Sequence, residues 1–337
     1  MGAFTVAVAL TNTCNLRCRM CGAQWVDGIK PKMMKPETWN ALLEKAPEGR
    51  RFEINSLGEH TLHPQFFNFI EEAKNANKGF LIQLQTNGTW KWSDNELENF
   101  LHQLNDLSLI REARGIPFVK TYLGFSVDGG TKKSYEWIRD RSNFDTVIGN
   151  IKRSLAIIRR DKLKITVGIA YIMTRTGLPE VPLLLDLIPG VGSVDLKPLI
   201  VSSKEMFEET WYDEHDLFST EVKKVVDLCA KKRVKVTNPS LYPEGGKESA
   251  GCKFPNWLWV DVDGNVFPCA YRYDLKIGNI IKDSWSEIIK FGREQLSLNH
   301  PACSHCFEPS NAFWSWEKHF DSKKMFDKYL EWKQSKK

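Results

Sequence analysis

Between Phe4 and Ile200 the chain alternates short β-branched runs with amphipathic helical runs, and few folds accept that rhythm. Candidate strands are Phe4–Leu10, Phe52–Leu57, Phe80–Thr86, Tyr122–Val127, Lys164–Ile172 and Ser193–Ile200. Helical stretches lie between them near Glu37–Ala46, Gln65–Asn77, Asn95–Leu104, Phe144–Arg159 and Leu178–Ile188. Pro36 suits a first helical turn and Gly79 a position just past a helix end. Repeated strand–helix units predict an α/β fold with a parallel sheet and helices outside it, here a partial (β/α)6 barrel. In such folds the chemistry gathers in loops that leave the C-terminal ends of strands. Cys14 to Cys21 follow the first strand, Gly58-Glu59 the second, and Thr86-Asn87-Gly88 close the third, so separate features converge on one rim. Asn105–Lys120 precedes a strand and is expected on the opposite rim. After Val201 the rhythm stops: Glu214–Lys232 reads as a helix, Asn238–Gly251 as a Gly/Pro-rich connection, and the stretch from Phe313 as a helix with an aromatic stripe.

The net charge of +5 is spread along 337 residues, and its densest stretch, Lys231-Lys232-Arg233, reads as an exposed helix face, so no nucleic-acid partner is expected. No apolar run is long enough to span a membrane. Ala3–Leu10 lacks a basic leader and a cleavage pattern and reads as a buried strand, which points to the cytoplasm. In a reducing compartment, closely spaced cysteines are more often metal ligands or catalytic groups than disulfides.

Cys14, Cys18 and Cys21 have the spacing C-x3-C-x2-C. Three thiolates this close can hold three corners of a cubane iron–sulfur cluster and leave one iron open. The rival reading is zinc completed by His60 or His63. Cys252, Cys269, Cys303 and Cys306 suit either a fully ligated cluster or a tetrahedral zinc. Between the first two, Trp259–Cys269 reads as a hairpin turning at Asp263-Gly264, and Gly278-Asn279-Ile280 leads into a helix near Ser284–Phe291. Cys229 shares a helical spacing with Val222, Val225 and Val226, which places it on an apolar face as a small hydrophobe; the alternative is a hydrogen donor. Asp195 and Lys197 share one face of the sixth strand, either pointing into the barrel toward a substrate or forming a structural pair.

The cysteine triad, its preceding strand and three later segments resemble the radical S-adenosylmethionine (SAM) superfamily over roughly the first 200 residues. Gly58-Glu59-His60-Thr61-Leu62-His63-Pro64 is similar to the family's glycine–glutamate segment, with His60 where many members have proline. Gln85-Thr86-Asn87-Gly88-Thr89 resembles its third-strand end, and Ser126-Val127-Asp128-Gly129 with Tyr135–Arg139 its fourth-strand segment. Thr174-Arg175-Thr176 matches a further polar contact. The resemblance implies a 4Fe–4S cluster on Cys14, Cys18 and Cys21, and SAM contacts from Gly58, Glu59, Asn87, Ser126, Asp128 and Arg139. Glu59 would take the methionyl amino group, Ser126 would touch the SAM, and Arg139 would reach its carboxylate. It further implies reductive cleavage of SAM to a 5′-deoxyadenosyl radical that abstracts hydrogen from a substrate carbon.

The stretch from Cys252 to Cys306 resembles the SPASM extension in its shorter, twitch form, a small α+β domain. A second, auxiliary 4Fe–4S cluster with four cysteine ligands follows from that resemblance. The expected plan is a radical SAM barrel over 1–200, a connection over 201–250, a cluster domain over 251–310 and a helical tail over 311–337. The expected function is oxidation or rearrangement of a natural-product intermediate, a sugar or aminocyclitol, with the auxiliary cluster in electron transfer and a donor such as flavodoxin or ferredoxin. With the first cysteine at residue 14, no peptide-recognition domain is expected ahead of the barrel. Alternatives are modification of a ribosomally made peptide, a radical epimerase with Cys229 as hydrogen donor, and a non-enzymatic zinc or electron-transfer protein.

Overall fold

A computed structural model describes residues 4–21, 30–55, 58–199, 204–211, 214–237, 257–268, 275–295, 331 and 334–335. Its first half is a run of parallel strands and covering helices: β1 (Thr5–Val8), α1 (Pro36–Lys45), β2 (Arg51–Ile54), α2 (Phe66–Asn75), β3 (Leu81–Thr86) and α3 (Asp94–Ala113). There follow β4 (Thr121–Ser126), α4 (Lys132–Ile138), α5 (Phe144–Arg160), β5 (Ile165–Met173), α6 (Val181–Leu187) and β6 (Ser193–Pro198). The later elements are α7 (His215–Lys231), β7 (Lys235–Thr237), β8 (Trp257–Val260), β9 (Asn265–Phe267), β10 (Gly278–Asn279) and α8 (Trp285–Gln295).

One sheet holds every described strand in the order β10-β9-β8-β1-β2-β3-β4-β5-β6-β7. Neighbours from β1 to β7 are parallel, as the sequence rhythm predicts, and their alternation sorts the side chains. On β2, Phe52 and Ile54 are buried in the core beneath the helices, while Arg51 and Glu53 take the other face. The helices supply matching stripes: Phe144, Val147, Ile148, Ile151 and Ile157 of α5 are buried, and the Asn143 side chain caps the helix by accepting from the Thr146 N–H.

The sheet is curled. Glu53 and the pair Asp195 and Lys197 lie on β2 and β6, four strands apart, which is about 19 Å across a flat sheet. Yet Asn55, just after β2, and Lys197 of β6 line one cavity, so the inner faces of β2 and β6 look at each other.

Several features differ from the sequence reading. α3 begins at a capping box between Ser93 and Glu96 and continues through Asn105 to Ala113, because Leu107, Ser108 and Arg111 extend its buried stripe. The expected helix at Leu178 opens instead with a 3-10 turn, Leu178–Glu180, ahead of α6. The described part of 251–310 joins the barrel's own sheet, since β8 pairs parallel with β1 along Trp257–Val260. Lys32 Nζ meets Asp263 Oδ2 at 2.7 Å, and the Phe4 and Trp285 rings lie 5.2 Å apart, so both hairpin and α8 are bound to the barrel. The hairpin turn at Asp263-Gly264 forms as expected, with Asp261 Oδ1 accepting from the N–H groups of Asp263 and Asn265. Most of the expected helix from Phe313 lies outside the described residues. Among the described residues, no helix is long and apolar enough to cross a membrane.

Candidate cluster and cofactor site

The loop after β1 is held from two sides. Thr11 Oγ1 donates to Lys32 O at 2.8 Å, and the Glu59 N–H donates to Thr13 O at 2.8 Å. This second contact needs Gly58. Its φ of +99° suits glycine, and a Cβ there would sit 2.9 Å from Thr13 O and closer still to Thr11 O. The loop after β2 can therefore lie flat against the cysteine loop. Leu16, Met20, Ile138, Leu199, Met206 and Phe207 pack beneath, and the Cys21 N–H donates to Cys18 O at 3.0 Å.

Cys14, Cys18 and Cys21 line one cavity of about 440 Å³ at the C-terminal ends of the strands. Burial pushes the Cys18 thiol up to about 12 and raises that of Cys14, so their thiolates need a cationic partner such as iron. Among the described residues, no three His, Cys, Asp or Glu side chains close on a single ion. Neither histidine lines this cavity. His63 Nε2 is engaged with Met34 O at 2.9 Å and its Nδ1 accepts from the Gln65 N–H at 3.1 Å. His60 is buried away from the cavity, and that burial holds its pKa down at about 3.

The cavity walls carry six of the residues expected from sequence to contact the cofactor: Gly58, Glu59, Asn87, Ser126, Asp128 and Arg139. Glu59 is 3% exposed, and burial raises its carboxyl above the usual range although four donors oppose the shift. Its Oε1 accepts from Thr61 Oγ1 at 2.6 Å and Thr86 Oγ1 at 2.7 Å, while Oε2 accepts from the Asn87 N–H at 2.6 Å. One acceptor position on Oε2 is left over, which suits an ammonium donor. Asn87 Nδ2 donates to Asn15 Oδ1 at 2.9 Å and lies 3.9 Å from Cys14 Sγ. Ser126 Oγ accepts from Gln85 Nε2 at 2.9 Å.

Arg139 and Asp128 form an ion pair at 2.5 Å, and Asp128 Oδ1 also accepts from the Ile172 N–H at 2.7 Å. Asp128 thus lines the cavity and at the same time holds the Arg139 side chain. Desolvation alone would lower the Arg139 pKa, but the charges of Asp128 and Cys18 outweigh it and hold the guanidinium fully protonated. Its Nη1 lies 3.8 Å from Cys18 Sγ, and among the described residues its buried Nε has no hydrogen-bond acceptor. An orphaned, charged donor beside three thiols fits a ligand carboxylate. The donor set therefore suits a cubane held at three corners with an amino-acid-like ligand at its side.

Other candidates fall elsewhere. Cys229 is fully buried in the apolar core with Val194, Leu196 and Val222, on the helix side of the sheet, which removes it as a hydrogen donor to this cavity. Thr174-Arg175-Thr176 is tied to other partners: Thr176 Oγ1 donates to Glu209 Oε1 at 2.7 Å, and Arg175 pairs with Glu214 at 2.7 Å. Lys197 lines the cavity, and Asp195 lies behind it at 3.5 Å. Cys252, Cys269, Cys303 and Cys306 lie outside the described residues. Asn55 also lines the cavity and lies outside the site segments singled out in the sequence; a polar residue on the inner face of a buried strand is the signal that could have found it.

Family models match the chain twice, as the radical SAM superfamily over residues 8–177 and as the SPASM iron–sulfur cluster-binding domain over 252–307. A tungsten-containing aldehyde ferredoxin oxidoreductase cofactor-modifying protein from Pyrococcus furiosus is 24% identical over 244 residues, which span 66% of this chain and 65% of that protein's length. The solved structure of anSMEcpe with bound AdoMet superposes with a TM-score of 0.64 at 18% identity, covering 91% of this chain and 81% of that one. Streptococcus suis SuiB bound to the precursor peptide SuiA gives 0.58 at 13% identity, covering 85% of this chain and 64% of that one. These two likenesses are of fold. The family's chemistry rests on a 4Fe–4S cluster and SAM, joined in SPASM proteins by auxiliary iron–sulfur clusters. The chain belongs to the radical SAM superfamily and carries a SPASM cluster-binding domain.

Proposed function

We propose that Cys14, Cys18 and Cys21 hold the 4Fe–4S cluster, that the adjoining cavity takes SAM, and that a small oxygen-rich substrate of the sugar or aminocyclitol class is oxidised or rearranged against the inner wall of the barrel. When bound, the cluster and SAM supply a 5′-deoxyadenosyl radical that removes hydrogen from a substrate carbon. The chain's own residues bind and orient. Glu59 Oε2 receives the amino group, Arg139 Nε faces the carboxylate, Asp128 keeps that guanidinium in place, and Ser126 and Asn87 complete the polar wall. Cys252, Cys269, Cys303 and Cys306 hold the auxiliary cluster, which passes electrons from the substrate, and a flavodoxin or ferredoxin reduces the first cluster.

The observation that carries this reading is the convergence of the three cysteines, Glu59 and Arg139 on one cavity from the loops after β1 and β2 and the end of α4. Anaerobically reconstituted protein treated with dithionite and SAM should release 5′-deoxyadenosine, faster with the right sugar or aminocyclitol, and a deuterated substrate should pass its label to that product. Iron-replete protein that releases none under any substrate condition would end the proposal. A second reading, modification of a ribosomally made peptide, is supported by the SuiB structure with its precursor peptide, and it expects stimulation by peptide alone.

A further inference from the structure

The interior of a parallel barrel is ordinarily filled with Val, Ile and Leu. Here it is polar. Opposite the buried Phe52 and Ile54, Glu53 turns inward; Gln85, Tyr122 and Lys197 do the same from β3, β4 and β6. Tyr122 closes the floor. Its ring lies so close over Gly168 that any Cβ there would overlap it, and its hydroxyl bonds to Ser193. Lys197 stands above this floor and lines the cofactor cavity alongside Asn55, Gln85 and Ser126.

The ammonium of Lys197 is under-used. Among the described residues it meets Asp195 Oδ2 at 3.5 Å, longer than the usual 2.7–2.9 Å of a charge-assisted hydrogen bond. Asp195 is anchored from its other side, where Oδ1 accepts from Thr237 Oγ1 at 3.0 Å. Of the other cations on the cavity wall, Arg139 pairs with Asp128 and is the group assigned above to the SAM carboxylate, and Arg17 donates to the carbonyls of Cys14 and Leu16. Burial pushes the Glu53 carboxyl up to about 7, so it does not add a full second negative charge beside Lys197 at neutral pH. A half-exposed ammonium with spare donors, flanked by amide and hydroxyl side chains, asks for an anionic oxygen with hydroxyls around it.

We propose that Lys197 is the substrate-recognition residue and takes the carboxylate of a small hydroxylated acid seated on the inner wall of the barrel, with Asp195 fixing the lysine. This deepens the reading above and rests on it, and of the sugar and aminocyclitol class it keeps only acidic sugars and sets the aminocyclitols aside. An amine-bearing ligand would meet like charge at this wall, and a neutral one would leave the ammonium unanswered.

Equilibrium dialysis of the reconstituted holoprotein with SAM, using glucuronate, glucose and glucosamine, tests it. Wild type should bind glucuronate at least about tenfold more tightly than the other two. Lys197→Met should abolish that preference and Lys197→Arg should keep part of it. Equal binding of all three, binding of none, or an intact preference in Lys197→Met overturns the assignment. Should Lys197→Met fail to fold, the wild-type preference and the Lys197→Arg variant still decide. Substrate-free release of 5′-deoxyadenosine by wild type reports separately on the cofactor reading, so the two can fail independently.

Discussion

Asp128 and Arg139 meet at 2.5 Å across the wall of the cysteine cavity, with the Asp128 side chain fully shielded and that of Arg139 10% exposed. Removing one partner of a buried ion pair costs about 3–5 kcal/mol, because the other charge is left uncompensated. Asp128→Asn keeps an acceptor for the Ile172 N–H but loses the charge. It should lower thermal stability and weaken SAM binding by about tenfold or more, measured by calorimetry and by equilibrium dialysis.

Glu59→Gln places an amide NH2 among Thr61, Thr86 and the Asn87 N–H, all of which now donate to the carboxylate. Donor facing donor in a buried site costs about 1–3 kcal/mol. The variant should melt earlier and bind SAM weakly at every pH, while the iron content of the protein stays near the wild-type level.

Gly58→Ala tests the clamp between the loops after β1 and β2. The positive φ and the close approach to Thr11 O and Thr13 O leave no room for a side chain. Reconstituted protein should lose the iron and the electron-paramagnetic signal of the three-cysteine cluster, with the auxiliary signal retained. Full occupancy of both clusters would mean that the loop has more freedom than its packing implies.

Cys229 should matter to folding and not to turnover. Cys229→Ala should preserve 5′-deoxyadenosine formation and lower unfolding stability by about 1 kcal/mol. Cys229→Ser should be worse by about 1–3 kcal/mol, since it buries a hydroxyl in an apolar core. Chemical denaturation followed by circular dichroism separates the two.

Glu53 ties stability to pH. Its carboxyl rises from 4.5 to about 7 in the fold, chiefly through burial, with Arg51 and Lys197 opposing and Asp195 and Tyr122 nearby. Between those two values the native state holds a proton that the unfolded chain has released, so stability falls as pH climbs from about 5 to 8. The effect is on the order of 3 kcal/mol at most. Urea midpoints at pH 5.5 and pH 8 should differ less in Glu53→Gln than in wild type.

What could be read from sequence follows physical locality. The cysteine spacing, the strand ends carrying Glu59 and Ser126, and the apolar face holding Cys229 are all local patterns, and the fold kept each of them. β7 escaped because Lys235-Val236-Thr237 is too short to show alternation. The pairing of β8 with β1 joins residues some 250 positions apart, and no local pattern encodes a register over that distance. Glu53 escaped because a single acid in a strand reads as solvent-facing until the curl of the sheet brings Asp195 and Lys197 opposite it. Arg139 lines the cavity, but its bond to Asp128 depends on how α4 returns to the end of β4, which the motif does not specify.

Because β1 is bordered on one side by β8, β1 waits during synthesis for a partner made some 250 residues later. Until residues 257–260 emerge, one flank of the nascent barrel shows a row of bare amide and carbonyl groups, a template for strand pairing between chains. A protein truncated ahead of Trp257 should therefore aggregate during expression even though its whole cysteine triad has been made, and co-expression of a fragment that supplies β8 should rescue its solubility.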